Sequence, residues 1–334
     1  MDRFIRLITI LVFLSLASLA LGQDAKLIEA AKKEGRVVIY GGLETETVDV
    51  LQKTFEKKTG IEMQWWRASS TKVMDRVLTE HRTGKPIFDV VLGTTAAMEI
   101  LSKEGILGKY ESPSAAGFPK SAIHLDLGPR YRNVIIGVVY NKGMIKPSDA
   151  PKSFEDLLKP QFKGKLAMPD PTQHTTTTQW LASLQKIMGK EKADKFIQDL
   201  AATRPMLVES LLPAGERVST GEMSIAITYV KYAYIYSQKG AALDYVRLPK
   251  MLGEGHYIAL SNKAPRPNAG KVFIDHFLND ESMSIMAKMG EFVNRKGIYP
   301  PLPDADKIEF VGMVDLDQKG FAEKKAAYRK IFLQ

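Results

Sequence analysis

The chain is 334 residues long, 45% hydrophobic and 25% charged, the makeup of a folded soluble protein too long for one small core, so two lobes are expected. It contains no Cys, which excludes a disulfide framework and a thiol nucleophile. The net charge is +9, but Lys and Arg are spread out, with Lys32-Lys33 and Lys57-Lys58 the densest pairs; this argues against a nucleic-acid stripe and leaves a mild bias toward anionic ligands.

Asp2, Arg3 and Arg6 precede an apolar run from Leu7 to Leu21 and the small residues Ala20 and Gly22, the layout of a cleavable signal peptide over 1–22. That run of 15 residues is short of the roughly 20 a spanning helix needs. No Cys follows it to carry a lipid anchor. Cleavage near Gly22 predicts an exported, periplasmic protein starting near Gln23 or Asp24, its charge lower by one because two Arg and one Asp depart.

Lys26 to Glu34 reads as a helix stopped by Gly35. Three strand, loop and helix units follow: Val37 to Tyr40, Gly41-Gly42 and Thr45 to Lys58; Ile61 to Trp66, Arg67 to Ser70 and a helix with Val73, Met74, Val77 and Leu78 on one face; Phe88 to Leu92, Gly93-Thr94-Thr95 and Ala96 to Lys103. This alternation predicts an α/β fold with a mainly parallel sheet flanked by helices.

The middle reads as a strand over Val134 to Tyr140, a helix opened by Ser153 with Asp156 as capping-box partner, a strand at Leu166 to Met168, a loop over Pro169 to Thr178 and a helix over Gln179 to Met188. Strands are expected at Ile225 to Thr228, Tyr245 to Leu248 and Tyr257 to Leu260. The rest is mostly helical, with Asn268 as a cap and Val272, Phe273, His276 and Phe277 on one face. The expected division is lobe 1 over 24–133 plus 262–334 and lobe 2 over 140–256, with hinges near 134–139 and 257–261 and a ligand cleft between the lobes.

Several stretches together resemble periplasmic solute-binding proteins of ABC importers, type II: AKKEGRVVIY over 31–40, YNKGMI over 140–145, the segment from Ala150 to Pro171, and NKAPRPNAGKVFIDHFL over 262–278. The group they are most similar to is the ferric-iron-binding or extracellular solute-binding set, and the likeness runs in order through nearly the whole mature chain. The resemblance implies a two-lobe protein with a two-crossover hinge that closes on a solute. It would act as a monomer and deliver its solute to an inner-membrane permease, with no cofactor required and Fe(III) only as a transported ligand.

In parallel α/β sheets ligands collect beyond the carboxyl ends of strands, where helix N-termini offer unpaired N–H groups. The loops bearing Gly42, Leu43, Ser69, Ser70, Gly93, Thr94 and Thr95, and the segment His174, Thr175 and Thr176, have the composition for close approach to an oxyanion, though plain helix capping accounts for each singly. Arg67 offers a two-pronged contact to carboxylate or phosphate, against a surface salt bridge. The stretch TYVKYAYIYSQKG over 228–240 places Tyr229, Tyr232 and Tyr236 on one helical face and Tyr234 opposite.

In ferric-iron binders that the chain resembles, adjacent tyrosines near this place ligate the metal, which makes Tyr229 and Tyr232 the candidate metal ligands here. This sequence departs from the pattern: it has no Tyr-Tyr pair, no His in the first loop, and Lys231 between the candidates. Ferric iron with a synergistic anion is the leading ligand. An organic anion such as a phosphonate, phosphate ester or carboxylate is the alternative, and a secreted hydrolase or transferase on the same scaffold is a remoter one. No nucleophile motif or complete phosphate loop supports an enzyme.

Overall fold

The computed structural model describes residues 25–333; the expected signal peptide over 1–22 lies outside the described residues. The chain divides into two units, one of residues up to Arg130 with Tyr257–Ser282, the other of Tyr131–His256 with Met283 onward.

In the first unit, strands Arg36–Gly41, Glu62–Arg67 and Val90–Thr94 run parallel, with Arg36–Gly41 in the middle: Ile39 lies opposite Trp65 on one side and Val90 on the other. Each strand leads into a helix, Thr45–Thr59, Ser70–Arg82 and Thr95–Lys103. Gly60, just past Thr45–Thr59, is an αL cap whose N–H reaches Glu56 O at 2.8 Å. Period-two alternation splits the central strand between two cores. Tyr40 joins Val73, Val77, Phe88 and Met98 on one face, while Phe55 of the first helix meets Phe273 of helix Pro267–Phe277 at 5.5 Å.

Two carboxylates, one buried and one partly buried, tie this unit's returning chain to its start. Asp89, with no exposed surface, accepts from Val38 N, Arg266 N and Arg266 Nε, each at 2.8 Å. Glu34, ending the helix over 25–34, accepts from Asn268 N, Asn268 Nδ2 and Ala269 N. Asn268 is therefore not the cap: Arg266 holds the N-cap position and Pro267 opens the helix, where its missing N–H costs nothing.

The second unit is built on the long strand Gly128–Asn141, from Tyr131 onward. Strand Ile225–Tyr229 pairs with it antiparallel, Val138 opposite Ile227, and on its other side pairs parallel with Leu166–Pro169, which pairs parallel with Met206–Val208. Helices Thr175–Ser183, Lys190–Ala202 and Leu211–Ser219 belong to this unit. Trp180, fully buried, and Phe196 both pack edge-on to Phe154, at 5.8 and 5.6 Å. The expected helix after Ser153 is only a 3-10 turn, Glu155–Leu158. Ser153 Oγ does accept from Asp156 N at 3.2 Å, but the Asp156 carboxylate reaches Lys152 N instead of Ser153 N.

The sequence assigns all of 262–334 to the first lobe, yet Met283 onward packs with the second unit. Gln179 Nε2 donates to Val314 O and Lys325 Nζ to Gln173 O, each at 2.7 Å, and Arg132 binds Glu291 at 2.8 Å. These partners are far apart in sequence, so no local pattern marks them.

Candidate functional site

In the first unit the two neighbouring strands pair to their ends, Gly41 opposite Arg67. The segments that follow therefore lie side by side, with Ala68 N donating to Gly41 O at 3.2 Å. A Cβ on Gly41 would stand 2.9 Å from Trp65, and one on Gly42 3.0 Å from Ala68 O, so both positions require glycine for close approach.

Arg67 is the last residue of its strand, not part of a loop. Its exposed side chain is steadied by one bond, Nε to Leu43 O at 2.8 Å. The alternative of a surface salt bridge is not realised: among the described residues no carboxylate pairs with Arg67, and its two terminal nitrogens have no protein partner. Leu43 itself is fully buried, so it serves through its carbonyl and as an anchor.

Three helices start at this edge. Ser69 caps Ser70–Arg82, its Oγ accepting from Lys72 N at 3.4 Å, whereas Glu44 and Thr94, the N-cap residues of the other two, give no side-chain cap bond. The predicted loop at Gly93-Thr94-Thr95 does not exist, because strand Val90–Thr94 runs directly into helix Thr95–Lys103. Gly93 is buried, and a Cβ there would stand 3.2 Å from Met98 Sδ; it admits the helix. What reaches the surface is a row of helix N-termini with a fixed guanidinium beside them, an arrangement that attracts and orients an oxyanion.

In the second unit, strands Leu166–Pro169 and Ile225–Tyr229 are parallel neighbours, so the segments after them leave the same sheet edge. Asp170 shapes the first turn, its carboxylate accepting from Thr172 N and its carbonyl from His174 N, both at 2.8 Å. Helix Thr175–Ser183 then starts four residues earlier than predicted: Thr175 and Thr176 lie in its first turn, while Thr177 and Thr178 are buried. His174 is its N-cap. Nδ1 accepts from Thr177 N at 3.3 Å and lies 2.9 Å from Thr177 Oγ1, which assigns the ring proton to Nε2. Burial, and secondarily Lys325, holds the imidazole below its ordinary pKa, so it is neutral and presents an N–H.

Tyr229 ends a strand instead of entering a helix, and the helix over Tyr232–Ser237 has under two turns. The tyrosines nevertheless form a row, with Tyr229 and Tyr232 ring centroids 5.5 Å apart and Tyr232 and Tyr236 5.4 Å apart. A Cβ on Gly215 would stand 2.8 Å from Tyr232 and 3.3 Å from Tyr236, so both rings pack against helix Leu211–Ser219. Burial above all, then the charges of Tyr232 and Glu254, pushes the Tyr229 hydroxyl up to about 12.

Lys231 does not face away from this group. It is buried, its Nζ donating to Glu291 Oε1 at 2.8 Å and lying 6.0 Å from the Tyr229 ring centroid. Glu291 also binds Arg132 at 2.8 Å, so two cations meet one carboxylate. Arg132 and Glu291 escaped sequence reasoning because nothing local distinguishes them. Among the described residues no group of three or more His, Asp or Glu stands ready to hold a metal ion.

Comparison with known proteins agrees with this architecture. The chain matches the family model of bacterial extracellular solute-binding proteins over residues 36–290. A candidate 2-aminoethylphosphonate-binding periplasmic protein of Salmonella typhi is 24% identical over 249 residues, 70% of each chain. The structure of AfuA from Actinobacillus pleuropneumoniae with fructose-6-phosphate is 21% identical, with a TM-score of 0.67 over 90% of this chain and 96% of that one. Iron-bound HitA from Pseudomonas aeruginosa is 18% identical, with a TM-score of 0.69 over 89% and 99%. The shared fold is that of type II periplasmic binding proteins. The chain belongs to the bacterial extracellular solute-binding proteins, the family that supplies the solute-binding components of ABC transporters.

Proposed function

We propose that the transported solute is a small organic oxyanion, a phosphonate or phosphate ester, held chiefly by the first unit's strand-end segments. The observation that carries this reading is Arg67: an exposed guanidinium fixed through Nε to Leu43 O, its terminal nitrogens unengaged among the described residues, beside three helix N-termini of which two lack a side-chain cap. Such a fork matches the paired oxygens of a phosphoryl group. On the second unit, considered by itself, His174 Nε2–H and the hydroxyls of Thr175 and Thr176 are neutral donors at a helix start. A relative carrying a 2-aminoethylphosphonate-binding description and a structural neighbour with fructose-6-phosphate support this class.

Ferric iron is the second reading, favoured by the Tyr229–Tyr232 ring contact and by iron-bound HitA among the neighbours. Against it stand the raised Tyr229 hydroxyl and the buried ammonium of Lys231 beside the pair, which repels a trivalent cation. Capture would favour a bound conformation that the permease recognises.

The test is thermal stability of the mature protein with 2-aminoethylphosphonate, fructose-6-phosphate and ferric citrate, since a specific ligand raises the midpoint. The oxyanion reading expects a rise with a phosphorus-bearing ligand that Arg67→Ala abolishes. A rise with ferric citrate alone, with a visible phenolate-to-iron band lost in Tyr229→Phe/Tyr232→Phe, would replace it by the iron reading.

A further inference from the structure

A cavity of about 420 Å³ opens on the first unit, on the sheet face opposite Ile39. Its lining includes Val38 and Tyr40 of the central strand, Trp66 of the edge strand, Arg76 of helix Ser70–Arg82, and the arginines at 36 and 266. No carboxylate lines it. Trp66 and Arg67 are consecutive on one strand and so project from opposite faces, and Arg67 does not line the cavity.

The charge here is arranged, not incidental. Arg76 lays its guanidinium 4.6 Å from the Tyr40 ring centroid and 4.3 Å from that of Trp66, and Nε binds Glu80 at 2.9 Å. Glu80 is occupied inward: it also accepts from the Tyr40 hydroxyl at 2.7 Å and from Ile87 N at 3.0 Å. Asp89 is spent in the same way on Val38 N and Arg266. Glu62, opposite Arg36 in the strand register, takes Gln64 Nε2 at 2.8 Å. Among the described residues this leaves the terminal nitrogens of Arg76 and the whole guanidinium of Arg36 without partners. A stacked, immobilised fork over an apolar floor of Val38, Trp66 and Ile87 loses little entropy on meeting an anion.

We propose that this cavity is a second binding site, for a small organic carboxylate with an apolar body. The carboxylate takes the free N–H groups of Arg76 and Arg36, and the apolar body covers the side chains of Val38, Trp66 and Ile87. The volume suits a ligand of one ring and a short acid arm.

The test is calorimetric titration of the mature protein with phenylacetate, and with phenylacetamide as its uncharged counterpart. The proposal expects the acid to bind and the amide to bind about tenfold more weakly or worse, with a similar loss in Arg76→Gln. Arg36→Gln, which disturbs no packing, must weaken the acid as well, and this decides the matter if Arg76→Gln folds poorly. Arg67→Ala must leave phenylacetate binding unchanged, so this site and the proposed phosphonate site fail or stand separately. Absence of binding at roughly 10 mM, equal affinity for acid and amide, or an unchanged affinity in Arg36→Gln would overturn the proposal.

Discussion

Arg67 owes its usefulness to a single bond. Its Nε is tied to Leu43 O, so replacement by Lys keeps the charge but loses both the tie and the planar fork. Arg67→Lys is therefore expected to weaken the phosphorus-bearing ligand about tenfold while lowering the thermal midpoint of the free protein by only a few degrees, checked by titration and melting of the same samples. Asp89 is the opposite kind of residue, fully buried and bound by three donors. Asp89→Ala strands Arg266 and Val38 N and should cost about 3–5 kcal/mol in denaturant unfolding. His174 adds a pH dependence with a definite sign. Its folded pKa lies below its ordinary value, so the unfolded chain binds the extra proton, and stability falls as pH drops through about 6.5 toward the folded pKa. His276 is depressed in the same direction, chiefly by burial. His174→Asn keeps an acceptor at the N-cap and should flatten the stability profile between roughly pH 7 and 5 without removing all of it.

At the scale of elements, the first three strand–helix units were legible because each signal is local: a β-branched or aromatic run, a glycine or serine break, then an amphipathic helix closed by glycine. The boundaries that shifted did so for tertiary reasons. Thr94 stays in its strand because the sheet extends it, and Thr175 enters its helix because Asp170 and His174 close the preceding turn. Helices Lys190–Ala202 and Leu211–Ser219 went unpredicted although both bury an apolar face. Gly41 tests the first edge directly. Gly41→Ala drives a Cβ to 2.9 Å from Trp65 and 3.1 Å from Leu92, so a loss of about 1–3 kcal/mol is expected, read as a lower denaturation midpoint. The tyrosine row is an element-level result as well: strand end and short helix together align three rings that a continuous helix had been expected to carry.

At the scale of the molecule, the main departure from the sequence is where the last fifty or so residues belong. Glu291 lies in that segment and receives Arg132 and Lys231. Glu291→Gln leaves two buried cations facing a neutral amide and is expected to destabilise the protein by about 3–5 kcal/mol, measured by denaturant unfolding. By itself the sequence determined the α/β class, the order of the strand–helix units, the positions of Gly42 and Ser69 just after a strand, and the solute-binding family, because these rest on local periodicity and on ordered motifs. Only the tertiary structure decided that Arg67 meets no carboxylate among the described residues, that Leu43 is an anchor, that Lys231 is held by Glu291 beside Tyr229, and that three arginines share one cavity. Those facts depend on which distant groups neutralise one another, and burial and pairing across the chain leave no periodic trace in sequence.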